Sequence, residues 1–145
     1  MHLKKTITLT LILSAGLAAA HTGVKNAAVK ARMDAMSGIG AEMKALGQMA
    51  KGAATFDVDS ARASAAAIAH HAAATPNLFK ANEDDPKSEA KSSIWANFDD
   101  FTAKAVAMET VALGLSASIT KANDLGPAMG ALGATCKSCH AAYRE

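Results

Sequence analysis

The residues of this sequence best suited to chemistry lie near its end, where two cysteines and a histidine occur within five positions. Cys136-Lys137-Ser138-Cys139-His140 has the pattern C-x-x-C-H. Two thiols at this spacing can add to the two vinyl groups of one porphyrin, and the histidine then reaches the iron from the same side. On a helix the three residues share one face, because they are separated by steps of three and four. The motif therefore predicts one covalently attached haem c.

Three other uses of a cysteine pair fit the sequence less well. A zinc site needs a fourth ligand and usually a second cysteine pair, which the chain does not contain. A thioredoxin-like redox pair follows a strand, and no stretch here alternates with the period of a strand. A disulfide between residues three apart on a helix would close almost no loop. A further pair, His70 and His71, would point about 100° apart on a helix, so we interpret it as solvated rather than metal-binding.

Residues 1–20 have the three parts of a secretory signal peptide. Lys4 and Lys5 make the start positive, an apolar run from Ile7 to Leu17 follows, and small residues precede a cleavage site after Ala20. The apolar run is shorter than the roughly 20 residues that span a bilayer, which disfavours a membrane anchor. We therefore predict export to the periplasm, cleavage, and a mature chain of residues 21–145 that is not held in a membrane.

The composition narrows both the fold and the class of partner. Of 145 residues, 50% are hydrophobic but only 4% are aromatic, which favours helices packed through small side chains over a β-sandwich. The formal net charge is +2, so no basic excess indicates a nucleic-acid partner. Removal of residues 1–20 takes away two lysines and leaves 13 basic and 13 acidic side chains.

A first helix is predicted from Val24 to about Ala50. Its apolar and small residues recur at steps of three and four, the spacing of a helix that packs in a bundle. Gly40 and Gly47 lie on this face. Glycine inside a helix costs about 1 kcal/mol relative to alanine, so we expect a neighbouring helix or a flat ligand to approach closely there.

Three further amphipathic helices follow, and their apolar spacing is most regular between Ile94 and Ile119. Four such helices with short connections predict an all-α fold, an antiparallel four-helix bundle around the covalently bound haem. Capping residues and prolines predict where these helices begin and end. The second helix would begin after Asp57 or Asp59 and reach about Ala74, ended by Pro76, the third would run from about Ser88 to Ile119, and the fourth from Asn123-Asp124 to about Arg144.

An exported helical chain with C-K-S-C-H five residues from its end is similar to the class II c-type cytochromes, the cytochrome c′ family. Common small cytochromes carry this motif near the N-terminus instead. The resemblance covers essentially the whole mature chain, and the family fold is a four-helix bundle with haem between the helices. Further matching features are Arg32-x-x-x-Met36, Lys51-Gly52, Ile94-Trp95, Phe101, and Arg144 four residues after His140.

The resemblance implies roles for individual residues. Cys136 and Cys139 would form the thioether bonds, and His140 would be the proximal iron ligand. Arg32 matches an arginine that approaches a haem propionate, which it could bind with two hydrogen bonds. The alternative interpretation of Arg32 is a solvated charge on the helix surface. Arg144 matches a basic residue near the haem and the proximal pocket, and its alternative is a cation that stabilises a helix C-terminus.

Met36 matches the residue nearest the distal face of the iron. In five-coordinate, high-spin members of the family, a methionine or another apolar side chain only blocks that face. In the six-coordinate, low-spin branch, a methionine there is the sixth ligand. We favour ligation by Met36, because the stretch A-L-G-Q-M-A-K-G later in the first helix is similar to the low-spin branch.

The resemblance implies a periplasmic electron carrier that exchanges single electrons with redox partner proteins. If Met36 does not ligate, the distal face would be open and apolar, which would suit nitric oxide or carbon monoxide instead. An enzyme such as a peroxidase is disfavoured, because no distal histidine and arginine pair is evident. Dimers through the first helix are common in the family, so a homodimer is a further expectation.

Overall fold

The computed structural model describes residues 23–145, and the predicted signal peptide, residues 1–20, lies outside them. Within the described residues, four long helices form the predicted antiparallel four-helix bundle, and no helix is long and apolar enough to cross a bilayer. A short helix and a 3-10 turn lie in the connections. The helices are α1 (Ala27–Ala50), α2 (Val58–Leu78), α3 (Ser93–Ala96), α4 (Phe98–Ser118) and α5 (Leu125–Tyr143), and the turn is Ala122–Asp124.

The four long helices pack as a closed ring. α2 packs against both α1 and α4, and α5 packs against α4 and, less extensively, α1. Alanines fill much of the space between helices, as in α2, where Ala61, Ala65 and Ala69 are buried. The largest fully buried side chains are Leu46, Ile68, Ile94, Ile119, Leu125, Leu132 and Val29.

Side-chain caps set the start of α1 and α2. The Asn26 side chain accepts a hydrogen bond from the Val29 N–H at 3.0 Å, so α1 begins three residues later than predicted. The Asp57 carboxylate accepts from the Ser60 N–H at 2.7 Å. Of the two candidate caps for the second helix, Asp57 is therefore the one used.

The end of α2 differs from the prediction, because the helix passes through Pro76 and continues to Leu78. A proline removes one main-chain hydrogen bond and disturbs the turn before it, and near a helix end few bonds remain to be lost. The added turn carries the chain to Phe79, whose ring is buried at 7% exposure. Burial of this ring stabilises the extension.

The third predicted helix is also wrong at its start, because residues 88–92 are not helical and α3 and α4 are separated at Asn97. The segment before α3 pairs instead with the end of the chain. Ala90 and Arg144 form an antiparallel bridge, the Lys91 N–H donates to the Tyr143 carbonyl at 3.0 Å, and the Glu145 N–H donates to the Glu89 carbonyl at 2.9 Å. These bonds hold the connection beside the C-terminus of α5.

Candidate functional site

A cavity of about 520 Å³ lies between α1, α4 and α5, in the half of the bundle where α1 begins and α5 ends. Residues of α2 and of the connection between α2 and α3 complete its walls. The bundle therefore brings the first and last helices of the described residues to one site. The predicted site residues all line this cavity: Arg32, Met36, Cys136, Cys139, His140 and Arg144.

Cys136 and Cys139 present two free thiols to the cavity from the same face of α5. Both are half-buried, and burial raises the pKa of each thiol above its usual value. The alternatives of a disulfide and a zinc site find no support, since the thiols are unbonded and no group of three or more His, Cys, Asp or Glu within residues 23–145 could hold a metal ion.

His140 lines the cavity one residue after the second cysteine, and its other side is exposed to solvent. Partial burial lowers the pKa of its imidazole, the guanidinium of Arg144 lowers it further, and the Glu89 carboxylate acts in the opposite direction. A lowered pKa favours the neutral imidazole, the form that binds a metal.

Arg144 also lines the cavity, and it is ion-paired rather than free. Its Nε donates to a carboxylate oxygen of Glu89 at 2.6 Å, and one terminal nitrogen contacts the same oxygen. Glu89 lies in the segment that pairs with the chain end. The two long side chains thus extend the pairing between that segment and the C-terminus of α5.

Arg32 is buried, at 3% exposure, so its alternative as a solvated helix charge is wrong. The aromatic rings of Phe79 and Trp95 lie 4.8 and 5.4 Å from its guanidinium carbon. Its hydrogen bonds use three of five guanidinium N–H groups. The acceptors of these three hydrogen bonds are the main-chain carbonyls of Leu78, Ala81 and Glu83, at 2.9, 2.6 and 2.7 Å. The contact of Arg32 with a haem propionate stays a prediction.

Met36 lines the cavity from α1, together with Met33 and Met43. All three are partly buried, and Met108 of α4 adds a fourth thioether to the lining. The cavity thus holds the thioether of Met36 and the imidazole of His140, from two different helices. Whether Met36 ligates the iron stays a prediction.

The helix glycines of α1 have different surroundings. A Cβ atom placed on Gly40 would meet no atom within 4 Å, whereas one on Gly47 would lie 3.5 Å from the methyl carbon of Met129. The closest approach is at Gly38, which the sequence pattern did not single out, where a Cβ would lie 2.5 Å from Nε2 of His71. His71 is therefore half-buried against α1, and its interpretation as a solvated residue is wrong.

These features fit a haem c. Two thiols and an imidazole occupy one wall in the attachment pattern, and Gly40, which lines the cavity, leaves room for a flat group beside α1. Apolar side chains such as Ile94 and Phe101 line the walls. A concave, mostly apolar pocket with a few fixed polar groups is typical of cofactor sites.

Two charged residues of the cavity carry no clear signal in the sequence. Glu89 meets Arg144 across 55 positions of the chain, a contact that no local pattern indicates. Lys104 of α4 lies 3.6 Å from Asp100 and donates to the Ser138 hydroxyl at 3.4 Å. The only sequence feature that indicates a cavity position for Lys104 is its spacing of three residues from Phe101, on the predicted apolar face of the helix.

Comparison with known proteins agrees with this geometry, because the relatives found are cytochromes. The family described as Cytochrome C' matches residues 27–144. Cytochrome c-556 of Agrobacterium fabrum is 38% identical over 117 residues, which are 80% of this chain and 80% of that protein. Cytochrome c' of Pararhodospirillum photometricum is 35% identical over 120 residues, covering 81% of this chain and 95% of that protein.

Solved structures agree with the sequence relatives. Cytochrome c' from Rhodopseudomonas palustris superimposes with a TM-score of 0.77 at 26% identity, covering 83% of this chain and 98% of that one. A structure of oxidized cytochrome c556 from the same organism gives a TM-score of 0.75 at 25% identity, with 82% and 96% covered. With the family match, the sequence relatives and the bundle in agreement, the chain belongs to the cytochrome c' family.

Proposed function

We propose that this chain is a periplasmic haem c protein that transfers single electrons between redox partner proteins. The observation that carries the proposal is the presence of Met36 and His140 in one cavity, on different helices. When bound, the haem supplies an iron that changes between the ferric and ferrous states, and a methionine and histidine ligand pair raises its reduction potential.

The residues of α5 bind the cofactor in this proposal. Cys136 and Cys139 would hold it through two thioether bonds, and His140 would bind the iron through a neutral imidazole. The lowered pKa of His140 supports this role, because less work is needed to keep the ring unprotonated. Since all three residues lie on one helix, their spacing is rigid.

The residues of α1 form another part of the cavity lining. Met36 lines the cavity with its thioether, and Arg32 ties α1 to the end of α2 and to the connection after it through main-chain carbonyls. If Met36 is a ligand, the anchoring of α1 by Arg32 would limit its movement between the two oxidation states, which suits electron transfer.

A second candidate function is the binding of nitric oxide or carbon monoxide. The lining that α1 presents near Met36 is largely thioether and apolar, which suits small uncharged gases. A similar solved structure is a nitric oxide complex of a variant cytochrome c prime from Alcaligenes xylosoxidans, with a TM-score of 0.71 at 28% identity, covering 81% of this chain and 94% of that one. The two functions differ in whether Met36 occupies the sixth position.

The optical and EPR spectra of the ferric holoprotein, with those of Met36→Ala, separate the two functions. Electron transfer with Met36 as ligand predicts low-spin iron that Met36→Ala converts to high spin. The variant should bind carbon monoxide readily and have a reduction potential lower by about 60 mV or more, a tenfold change in relative ligand affinity for the two iron states.

Two controls accompany this experiment. Met43→Ala removes a thioether from the same cavity and should leave the spin state unchanged. The double variant Cys136→Ala/Cys139→Ala should hold no haem after denaturation and acid-acetone extraction. If the native iron is high-spin and Met36→Ala alters only the size of the pocket, the result would contradict electron transfer through a methionine-ligated iron and support gas binding.

A further inference from the structure

The tightest helix contact at a glycine in the described part of the chain is between Gly38 of α1 and His71 of α2. A Cβ atom on Gly38 would lie 2.5, 2.9 and 3.1 Å from the Nε2, Cε1 and Cδ2 atoms of the His71 ring. The imidazole therefore occupies the space that any other residue at position 38 would need. Glycine inside a helix is unfavourable by about 1 kcal/mol relative to alanine, so the contact requires it despite that cost.

Gly38 and Met36 lie on opposite sides of α1. They are two residues apart, which is roughly 200° around an α-helix. Met36 lines the cavity, whereas Gly38 and His71 do not line it and pack where α1 meets α2. At this level of the bundle, the histidine ring therefore lies on one side of α1 and the thioether on the other, although α2 also reaches the cavity further along through Ala72 and Thr75.

We propose that the contact between Gly38 and His71 sets the separation of α1 from α2 and thereby the distance from Met36 to the iron. This inference rests on the proposed function, in which Met36 is the distal residue. Gly38 and His71 are positioning residues, because neither touches the cavity. Packed helices transmit a displacement at one side to the other, since the interior is as dense as a crystal and cannot absorb it locally.

A double-mutant cycle on the holoprotein tests this role. Gly38→Ala inserts a methyl group into the His71 ring, and His71→Ala removes that ring. For Gly38→Ala we expect about a tenfold rise in the ratio of high-spin to low-spin ferric iron, because overpacking displaces the helix that carries Met36. The double variant Gly38→Ala/His71→Ala should return the ratio to near the native value, since the methyl group then has space.

The matched control is Gly114→Ala in α4. Gly114 is also a helix glycine, but it is exposed and a Cβ there would meet nothing within 4 Å. This variant makes the same gain in helix propensity and should leave the spectrum unchanged. If Gly38→Ala does not yield folded holoprotein, His71→Phe enlarges the same contact from α2 and should shift the spin ratio in the same direction.

The outcome separates this proposal from the proposed function. If native iron is high-spin, Met36 is not a ligand and electron transfer through a methionine-ligated iron fails. The positioning role is then measured by carbon monoxide affinity, which Gly38→Ala should change by about threefold or more and the double variant should restore. A native spectrum and native carbon monoxide affinity in Gly38→Ala would mean that the ring moves aside, which overturns the proposal. So would a double variant that does not recover.

Discussion

Arg32 illustrates how much one buried side chain does in this molecule. Its planar guanidinium donates to the main-chain carbonyl of the last residue of α2 and to two more in the segment that follows, and two aromatic rings cover its faces. Lysine could not make the same contacts, because its ammonium group lacks the planar fork. Arg32 therefore fixes the course of this connection as well as one wall of the cavity.

The substitutions Arg32→Ala and Arg32→Lys test this structural role. We expect Arg32→Ala to lower the free energy of unfolding of the holoprotein by about 2–3 kcal/mol, because it removes three hydrogen bonds of a buried cation together with its packing against two aromatic rings. Arg32→Lys should recover only a small part of that loss. Denaturant unfolding measures this change in stability, provided that the dependence of the unfolding free energy on denaturant concentration has the same slope in all three proteins. A stability for Arg32→Lys equal to that of the native protein would show that charge alone matters.

The site residues differ in how far the sequence could predict them. Cys136, Cys139 and His140 were predictable because their chemistry depends on spacing within one helical turn. The surroundings of Arg32 were not, since its acceptors are main-chain atoms 46 to 51 positions away. The role of Gly38 was hidden for a similar reason, because the ring that contacts it belongs to another helix.

At the scale of elements, the four long helices follow from local apolar periodicity, and side-chain caps set the start of α1 and α2. The places where the prediction fails are set by contacts that are distant in sequence. Residues 89–91 pair with residues 143–145 instead of extending a helix, and α2 passes through Pro76 so that Phe79 can be buried. Neither event has a signal within the segment itself.

Asp85 joins the connection after α2 to the start of α1. Its carboxylate accepts hydrogen bonds from the main-chain N–H groups of Lys87, Asn26 and Lys25 at 3.0, 3.0 and 2.8 Å. These bonds, with that from Lys87 contributing most, lower the pKa of Asp85 below its ordinary value of 3.8. Because the folded pKa is depressed, the stabilisation is present above the ordinary pKa and is lost as the pH falls through the folded value.

Asp85→Asn should accordingly be less stable than the native protein at pH 7. The difference should shrink as the pH falls below the ordinary pKa of 3.8 and through the lower pKa of Asp85 in the folded protein. Thermal unfolding of the holoprotein across this pH range provides the measurement. Asp84→Asn removes the neighbouring exposed carboxylate and serves as the control for a general change of charge. A constant difference at all pH values would rule out linkage through Asp85.

At the scale of the whole molecule, the described core consists of two clusters of unequal size. The larger cluster includes Leu46, Ile68 and Leu132, and the smaller consists of Phe79, Ile94, Phe101 and Tyr143. The cavity lies beside the smaller cluster, and all four residues of that cluster line it. One half of the bundle is thus packed by its own side chains, while the other half is built around a cofactor.

This division predicts how the chain behaves without haem, which the double variant Cys136→Ala/Cys139→Ala would show after expression without cofactor attachment. We expect retained helical circular dichroism but a broad melt at lower temperature, because the half around the cavity loses the surface against which it packs. Hydrogen exchange should remain slow at Leu46 and Ile68 and become fast at Ile94 and Phe101. A sharp melt at the temperature of the holoprotein, with uniform protection of both clusters, would show that the bundle packs independently of its cofactor.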